Sequence, residues 1–474
     1  MSCEYFETGV RYSGTMPTIG TATDDYENIK SLIKAGVNVF RLNFSHGNHG
    51  DHLKRITYIR GAEKELNINV AILADLQGPK FRIGEMKKDI KVIKGNNFTF
   101  DKDMKIGDFK RVYLSHEEIF ESLSVGSKIL MDDGKLQFEV KEITNEKIQT
   151  EVLVGGVVKS NKGVNLPDVV LNTNPLTEKD IDDLKFILNQ EIDWIALSFV
   201  QKLSDVQEVK KHIKDKALII AKIEKPSALK ELSQIVDACD GIMVARGDLG
   251  VELPPEKVPG IQKEIILECR QAGKPVIVAT QMLESMIESP APTRAEASDV
   301  ATAVFDGADA VMLSAETAIG SFPIETVNIM DRIISSAERH IHKHPGDGPQ
   351  TLVAENFVYN AVSRSAVSLA ESVKAKAVVA FTASGNTAYR MARERPNLLL
   401  VVMTPEVNVK RKLSLLWGAY PFLSKVQGYE AAIQEAREII TKEKLAVKGD
   451  SIVVVAGMPF GISGSTNSIR VVEI

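Results

Sequence analysis

The sequence predicts an α/β protein with a TIM (β/α)8 barrel, an inserted small β-barrel lid domain and a C-terminal doubly wound α/β domain. Up to Lys343, short apolar runs typical of buried parallel strands alternate with amphipathic helical segments. A group of short strands without a convincing helix interrupts this alternation after Gly84. A second α/β alternation follows a polar linker around Pro345.

The barrel is predicted from βα units whose strands add up to eight, the number found in a TIM barrel. The first strand, near Thr15–Gly20, is the least regular, because Gly14 and Pro17 disfavour a central strand. The other predicted strands are Val39–Asn43, Val70–Asp75, Trp194–Phe199, Leu218–Ile223, Gly241–Ala245, Pro275–Thr280 and Ala310–Ser314. The predicted helices include Asp24–Ala35 with Thr23 or Asp24 as N-cap, His52–Leu66, Glu178–Asn189 capped by Thr177, Pro259–Ala272 and Ala295–Phe305.

The interruption is interpreted as a lid. Its predicted strands are Ile90–Phe100, Val112–Leu114, Lys128–Met131, Leu136–Ile143 and Ile148–Lys159, with turn signals at Lys94–Asn96 and Asp132–Gly134. The chain therefore divides into a barrel domain at residues 1–83 and 167–345, a lid at 84–166 and a C-terminal domain at 350–474.

The C-terminal domain is predicted from a shorter alternation of helices and strands. In order, its elements are a helix Asn356–Ser372, a strand Ala377–Phe381, a loop Thr382–Thr387, a helix ending at Arg393, a strand Leu398–Val402, a helix Tyr429–Lys444 and strands Ser451–Ala456 and Arg470–Glu473. This order favours a doubly wound sheet.

Composition and charge exclude several classes of protein. The 474 residues carry a formal net charge of −5, which gives no global attraction to nucleic acid or to an anionic membrane. Cys3, Cys239 and Cys269 form no CxxC pair, so neither a disulfide framework nor a thiolate zinc site is indicated. No leader-like segment follows Met1, and no apolar run of about 18 residues occurs. We expect a cytoplasmic protein that binds neither nucleic acid nor membrane.

Polar residues follow most of the predicted barrel strands, at the end where TIM barrels carry their active sites. These residues are Arg41, Asn43, Ser45, Asp75, Arg82, Ser198, Lys222, Glu224, Arg246, Asp248, Thr280, Gln281, Ser314 and Glu316. For Ser198, Gln281 or Glu316 taken alone, a helix-capping or solvent-facing role fits equally well. Lys222, Glu224 and Asp248 converge on one barrel mouth, and charges gathered there need partners.

The chemistry of these side chains points to phosphoryl transfer. Glu224 and Asp248 are suited to a hard divalent cation such as Mg²⁺. Lys222, Arg41 and Arg82 supply positive charge for a phosphorylated substrate. Positioning and charge neutralisation provide most of the catalysis in such a transfer. No GxxxxGK[ST] loop and no GxGxxG motif after a strand occurs, which argues against P-loop and Rossmann enzymes.

The motifs resemble those of pyruvate kinases, in the family's order and over essentially the whole chain. They are RLNFSHG at 41–47, DLQGPKFR at 75–82, KGVNLP at 162–167, IIAKIE at 219–224, GIMVARGDLGVELP at 241–254, TQMLESM at 280–286, PTRAEASD at 292–299 and SAETAIG at 314–320. The resemblance implies glycolytic transfer of a phosphoryl group from phosphoenolpyruvate to ADP, giving pyruvate and ATP.

The resemblance also implies a role for each residue. Glu224 and Asp248 would bind Mg²⁺, with Mn²⁺ as an alternative, and Lys222 would stabilise the transferring group. The implied substrate contacts are Arg41, Lys222, Gly247, Asp248 and Thr280, and the implied nucleotide contacts are Asn43, His46, Arg82 and Lys162. Thr280 would deliver a proton to the enolate, with Ser314 and Glu316 in a supporting relay. Arg41 and Arg82 would steady the phosphates.

Departures from the family pattern concern a monovalent cation. Asn43, Ser45 and Asp75 would line its pocket, but Lys80 replaces the glutamate of the potassium-requiring members. Leu76, Gln77, Lys80 and Ile83 resemble the potassium-independent branch, in which a tethered ammonium fills the pocket. Lys80 as a solvated loop residue is the alternative.

Two further departures are Ile319, where many animal members have lysine, and Thr21, which replaces a proline next to the expected adenine contact.

The C-terminal loop matches the family's site for a phosphorylated allosteric effector. Its residues Thr382, Ser384, Gly385, Asn386 and Thr387 follow a strand and open a helix, which suits an anion. A simple β-to-α turn is the alternative. The family's usual assembly is a homotetramer. The alternative functions are a metal-enolate barrel lyase acting on pyruvate-like substrates and a non-catalytic metabolite-binding relative.

Overall fold

The computed structural model describes residues 11–167, 169–171, 173–214, 216–349, 358–460 and 466–474. The segment around Cys3 and the predicted helix start at Asn356 lie outside these ranges. Within them, no helix combines the length and apolar character needed to cross a membrane.

The barrel is built from parallel strands that pair side by side in one eight-stranded sheet. Its strands are β1 (Gly14–Pro17), β2 (Val39–Asn43), β3 (Ala71–Asp75), β12 (Trp194–Leu197), β13 (Leu218–Ile223), β14 (Gly241–Ala245), β15 (Val276–Ala279) and β16 (Ala310–Leu313). The spatial order is β1-β16-β15-β14-β13-β12-β3-β2, and a bridge between Thr18 and Arg41 closes the ring. The predicted barrel is therefore confirmed.

The first strand exists despite Pro17, and the hydrogen-bond directions explain why. The backbone N–H groups of Gly14 and Thr18 donate to the β16 side, to Asp309 and Leu313. Neighbouring residues of a strand direct their N–H groups to opposite sides, so residue 17 would direct an N–H to β2 and not to β16. Few hydrogen bonds join β1 to β2, and the N–H that proline lacks is therefore not needed there. The proline thus removes no bond to β16.

The barrel helices for which the sequence predicts bounds begin and end close to those bounds. They are α1 (Tyr26–Lys34), α2 (His49–Leu66), α3 (Glu117–Ser122), α4 (Glu178–Ile187), α5 (Leu203–Ile213), α6 (Leu232–Ala238), α7 (Arg246–Glu252), α8 (Val258–Ala272), α9 (Arg294–Asp306), α10 (Ala315–Ala318) and α11 (Pro323–Lys343). The predicted N-cap of α1 is wrong. Asp25, rather than Thr23 or Asp24, accepts a bond from the backbone N–H of Asn28.

The lid consists of two sheets around one apolar core. Its strands are β4 (Ile90–Val92), β5 (Asn97–Asp101), β6 (Arg111–Tyr113), β7 (Lys128–Met131), β8 (Leu136–Ile143), β9 (Lys147–Val154), β10 (Gly156–Val158) and β11 (Val164–Asn165). The predicted single strands Ile90–Phe100 and Ile148–Lys159 are each two strands. The first breaks at the turn that contains Gly95, whose φ of 85° suits glycine. Helix α3 was not predicted.

The C-terminal domain has a five-stranded sheet in the order β19-β18-β17-β20-β21. Its elements are α12 (Val358–Ser372), β17 (Ala377–Phe381), α13 (Asn386–Arg393), β18 (Leu399–Thr404), α14 (Val407–Lys412), β19 (Ala419–Leu423), α15 (Tyr429–Lys442), β20 (Ser451–Ala456) and β21 (Ser468–Glu473). Helix α15 packs on one face and α12 with α13 on the other, which confirms the doubly wound fold. Helix α14 and strand β19 were missed.

The C-terminal domain is attached to the N-terminal ends of the barrel strands, opposite the polar rim. Asp309, which precedes β16, accepts a bond from Arg395 at 2.8 Å through Oδ2 and from the backbone N–H of Trp417 at 3.0 Å through Oδ1. The ring of Trp417 stacks on Tyr12, with centroids 4.5 Å apart. One buried carboxylate therefore links the two domains through charge and backbone contacts.

Candidate active site at the barrel mouth

Lys222 lies at the centre of the polar residues at the C-terminal end of the barrel. Its Nζ is 2.8 Å from Glu224 Oε1, 3.2 Å from Asp75 Oδ1 and 2.8 Å from the hydroxyl of Ser198. Burial alone would lower the pKa of Lys222, but the two carboxylates outweigh it and raise the pKa above its usual range. The ammonium therefore stays charged although little water reaches it.

Asp75 joins Lys222 to Arg41. The guanidinium of Arg41 donates to Asp75 Oδ2 through Nε and Nη2, both at 2.7 Å, and to the Thr18 hydroxyl at 2.9 Å. Burial by itself would raise the pKa of Asp75, but Lys222 and Arg41 lower it below its usual range. The carboxylate is thus held ionised between two cations.

Glu224 is the second carboxylate that contacts Lys222. It is almost fully buried and accepts a bond from the backbone N–H of Phe199 at 2.8 Å. Burial and the nearby charge of Asp248 raise its pKa, against the opposing effect of Lys222. Asp248 lies in the first turn of α7. Among the described residues, no three His, Cys, Asp or Glu side chains form a group that could bind a metal by themselves. Water and substrate oxygens would have to complete a metal site here.

Thr280 lies at the end of β15 beside the start of α7. Its hydroxyl accepts a bond from the backbone N–H of Gly247 at 2.7 Å and donates to the Ala279 carbonyl at 2.6 Å. Its φ is 72°, in the left-handed region that β-branched residues avoid. The hydroxyl position is therefore fixed by both contacts and backbone conformation.

Glu316 supports the neighbouring strand end. Its Oε2 accepts a bond from the backbone N–H of Ser314 at 2.7 Å, and its Oε1 accepts one from that of Leu283 at 3.3 Å. Burial raises the pKa of Glu316 above its usual range. Glu316 thus joins the ends of β15 and β16 through backbone contacts, and the relay role predicted for Ser314 and Glu316 stays a prediction.

The lid places other predicted residues around the mouth. Arg82 is exposed and donates to the Asn161 carbonyl at 3.1 Å, and Lys162 pairs with Asp132 at 2.6 Å. Lys80 is exposed and lines the narrow cleft between lid and barrel, together with Asp248.

On the barrel side, the mouth is bordered by the loop after β2. Asn43 Oδ1 accepts a bond from the backbone N–H of Ser45 at 3.1 Å, and Ser45 and His46 are exposed. Within the described part of the chain, Lys80 makes no hydrogen bond to Asn43, Ser45 or His46.

A second cavity, of about 810 Å³, lies in the C-terminal domain. Its lining includes the predicted effector residues Thr382, Ser384, Asn386 and Thr387. Gly385 is the N-cap of α13, and its backbone N–H donates to the Thr382 hydroxyl at 2.8 Å. The cationic side chains of Arg390 and Lys425 also line the cavity.

Comparison with known proteins decides the family. The family description "Pyruvate kinase, barrel domain" matches residues 10–327, and "Pyruvate kinase, alpha/beta domain" matches residues 360–472. The chain belongs to the pyruvate kinase family. A pyruvate kinase of Agrobacterium vitis is 47% identical over 98% of this chain and 97% of its own. One of Methylorubrum extorquens is 46% identical over 97% of both chains.

The crystal structure of a pyruvate kinase from Cryptosporidium parvum agrees with this assignment. It matches with a TM-score of 0.91 at 36% identity and covers 98% of this chain and 96% of its own. A pyruvate kinase is a phosphotransferase of glycolysis, and the family generally uses a divalent metal ion. The alternatives of a barrel lyase or a non-catalytic relative find no support in these comparisons.

Sequence reasoning left several residues of this pyruvate kinase site without a role. Ser198 was placed at a strand end, yet nothing indicated that its hydroxyl contacts Lys222. Thr18, which binds Arg41, was hidden in the irregular first strand. Arg246 and Asp299 pair at 2.6 Å although they are distant in the sequence. In each case the contact joins separate βα units, so no local motif signals it.

We predict that Ser198→Ala lowers kcat about tenfold, because a lost hydrogen bond to a charged group costs roughly 1.5 kcal/mol. The Ser198 hydroxyl donates to the Leu76 carbonyl at 2.7 Å, so its oxygen lone pair is directed to Lys222. Steady-state formation of pyruvate measures the effect. Ser363→Ala is the matched control, since that buried hydroxyl donates to the Tyr359 carbonyl far from the barrel mouth. Equal kcat in the two variants would contradict the prediction.

Proposed function

We propose that Lys222 anchors the phosphoryl group that passes from phosphoenolpyruvate to ADP. The observation that supports this most directly is a buried ammonium among carboxylates at the C-terminal ends of the barrel strands. In the transfer, the bond from the enol oxygen to phosphorus breaks and a bond from a terminal ADP oxygen to phosphorus forms. The charge of Lys222 offsets the negative charge that spreads over the phosphoryl oxygens.

Mg²⁺, with Mn²⁺ as an alternative, is proposed as the divalent ion, and Glu224 and Asp248 would bind it. Two carboxylate donors and room for water and substrate oxygens suit a hard octahedral cation. Burial and the charge of Asp248 raise the pKa of Glu224, while Lys222 opposes the shift. When bound, such an ion neutralises charge on the transferring group and on the enolate oxygen.

The remaining assignments follow the family resemblance. Gly247 and Asp248, in the first turn of α7, would contact the substrate together with Arg41. The proposed nucleotide contacts are Asn43, His46, Arg82 and Lys162. Arg82 is exposed and Lys162 is half-buried, and their partners Asn161 and Asp132 belong to the lid, so we propose that the lid closes when both substrates bind.

Proton delivery is assigned to Thr280, acting through its hydroxyl or a water molecule held there. After phosphoryl transfer, C3 of the enolate takes up a proton and its C=C electron pair forms the new C–H bond, which gives pyruvate. Solvent replaces the proton through the relay of Ser314 and Glu316.

Potassium independence is proposed from Lys80. Its position on the lid–barrel cleft that also includes Asp248 supports a tethered cation that approaches the Asn43, Ser45 and Asp75 pocket as the lid closes. The exposed side chain also fits the alternative of a solvated loop residue.

The C-terminal cavity is proposed as the site of a phosphorylated effector. Arg390, Lys425 and the hydroxyls of the Thr382–Thr387 loop offer charge and donors for a phosphate.

The domain boundaries at residues 83, 166 and 345–350 stay a proposal, as do the cytoplasmic location and the homotetramer. The edge strand β21 supports the homotetramer, since an unpaired strand edge favours association with another chain.

We predict that Lys222→Met lowers kcat roughly 10²- to 10³-fold, as loss of one preorganised transition-state contact commonly does. A coupled assay for pyruvate from phosphoenolpyruvate and ADP measures the loss, and circular dichroism checks the fold. Lys274→Met is the control, because that ammonium binds the Cys239 carbonyl at the other end of the barrel. Turnover of Lys222→Met near that of Lys274→Met would contradict the assigned role.

We predict that the wild-type enzyme is equally active, within about twofold, with and without potassium in a sodium-free tris buffer, because Lys80 supplies the cation. Lys80→Gln should lose activity in that buffer and recover part of it when potassium is added. Lys135→Gln, an exposed lid lysine, is the control. Strong potassium activation of the wild type would overturn the hypothesis.

We predict that a sugar phosphate or AMP lowers the KM for phosphoenolpyruvate by binding the C-terminal cavity, since coupling between sites commonly amounts to roughly 5- to 150-fold. Titration of each compound at subsaturating phosphoenolpyruvate measures the shift. Sulfate at equal ionic strength is the control for general salt effects. If none of the compounds changes the kinetics, the effector assignment is wrong.

A further inference from the structure

Two consecutive residues at the end of β15 have an unfavourable backbone conformation. The φ values of Thr280 and Gln281 are 72° and 55°, and neither residue is glycine. A β-branched residue adopts the left-handed region only where its surroundings compensate for the strain, and such residues cluster at functional sites. The contacts that hold Thr280 in this conformation therefore matter for what its hydroxyl does.

Arg246 makes the contact that fixes the Thr280 backbone. Its Nη2 donates to the Thr280 carbonyl at 2.7 Å, and its Nε lies 3.4 Å from the carbonyl of Ala279. The same guanidinium pairs in bidentate fashion with Asp299, at 2.6 Å and 2.7 Å. The planar guanidinium can bind a carboxylate and two carbonyls at once, which a lysine ammonium on a flexible chain cannot reproduce.

The position of Arg246 links two strands of the barrel mouth. It is the first residue of α7, and Gly247 directly after it donates its backbone N–H to the Thr280 hydroxyl. A side chain at Gly247 would place its Cβ 3.2 Å from that hydroxyl, so the two segments are in close contact. Arg246 thus fixes the Thr280 carbonyl while the next residue fixes its hydroxyl.

Asp299 determines where the guanidinium lies. It belongs to α9, which follows β15, and the side chain of Arg246 is only about a tenth exposed. Gln262 of α8 is a weaker neighbour, at 3.5 Å from Nη1. In the described part of the chain, the Arg246 side chain donates to these groups and to the end of β15. None goes to Lys222, Glu224 or Asp75.

We propose that Arg246 and Asp299 are a positioning pair for proton delivery, which holds Thr280 in its left-handed conformation. The inference rests on the role proposed above for Thr280. Because the pair contacts the Thr280 side of the mouth and not the Lys222 side, its loss impairs protonation of the enolate more than phosphoryl transfer. An enolate that is not protonated in the site leaves it and becomes pyruvate in solution, so ATP still forms.

The test compares two rates in Arg246→Lys. Formation of ATP from phosphoenolpyruvate and ADP reports phosphoryl transfer, and exchange of the pyruvate methyl protons with deuterium oxide, followed by NMR in the presence of Mg²⁺ and ATP, reports protonation. The ratio of exchange to ATP formation should fall at least tenfold, with the KM for phosphoenolpyruvate within twofold of the wild type. A ratio within twofold of the wild type would overturn the proposal.

A second variant covers the case in which Arg246→Lys does not fold. Asp299→Asn keeps the shape of the carboxylate and removes its charge, so the same ratio should fall about threefold. An unchanged ratio in a folded Asp299→Asn protein also overturns the proposal. Arg60→Lys is the matched control, because Arg60 pairs with Asp193 at 2.6 Å near the opposite barrel end. It should lower Tm and leave the ratio unchanged, whereas an equal fall of the ratio would overturn the specific role of Arg246 and Asp299.

Failure of the proposed function would look different. A wild-type enzyme that forms ATP but does not exchange methyl protons would remove the proton-delivery role. A crystal structure of Arg246→Lys then tests the pair separately. We expect the φ of Thr280 to leave the left-handed region, and an unchanged φ would overturn the positioning role.

Discussion

A buried ammonium is tolerated only where opposite charges surround it, and at Lys222 this requirement determines the neighbouring side chains. Asp75 and Glu224 supply the negative charge, and Asp75 in turn needs Arg41. The result is a row in which positive and negative groups alternate. Because its members belong to β2, β3 and β13, the row forms only if those strands have the observed register.

The two sides of the barrel mouth are positioned by different means. On the side of Lys222, charges orient one another and Ser198 adds a hydrogen bond. On the side of Thr280 and Glu316, the bonds go largely to backbone groups, and the chain conformation sets the geometry. Charges suit the anchoring of an anionic group, and a fixed neutral hydroxyl suits proton delivery. Under the roles proposed for Lys222 and Thr280, anchoring of the phosphoryl group and delivery of the proton take place on different sides of the mouth.

The sequence was sufficient for the barrel and for the charged centre of the site. Each strand of the barrel is a compact apolar run, so the alternation of strands and helices could be predicted from the sequence. Lys222 interrupts such a run and Glu224 ends it, so their position at a strand end could be predicted too. Pro17 made the first strand uncertain, because whether its missing N–H matters depends on which neighbour it faces. The contact between Arg246 and Thr280 could not be predicted, since it depends on two separate loops meeting at the mouth. The lid strands were misjudged at their turns, where a single glycine decides the break.

Strand β16 runs from the contact with the C-terminal domain to the barrel mouth. Asp309 at its start is bound by Arg395 and Trp417 of the C-terminal domain, and Ser314 at its end contacts Glu316. The separation is roughly 16 Å at the rise of about 3.3 Å per residue of a parallel strand. Strand β16 is extended and hydrogen-bonded to β1 on one side and to β15 on the other, so its length is fixed. A shift of the C-terminal domain along the strand axis would therefore also displace the Ser314 end of β16.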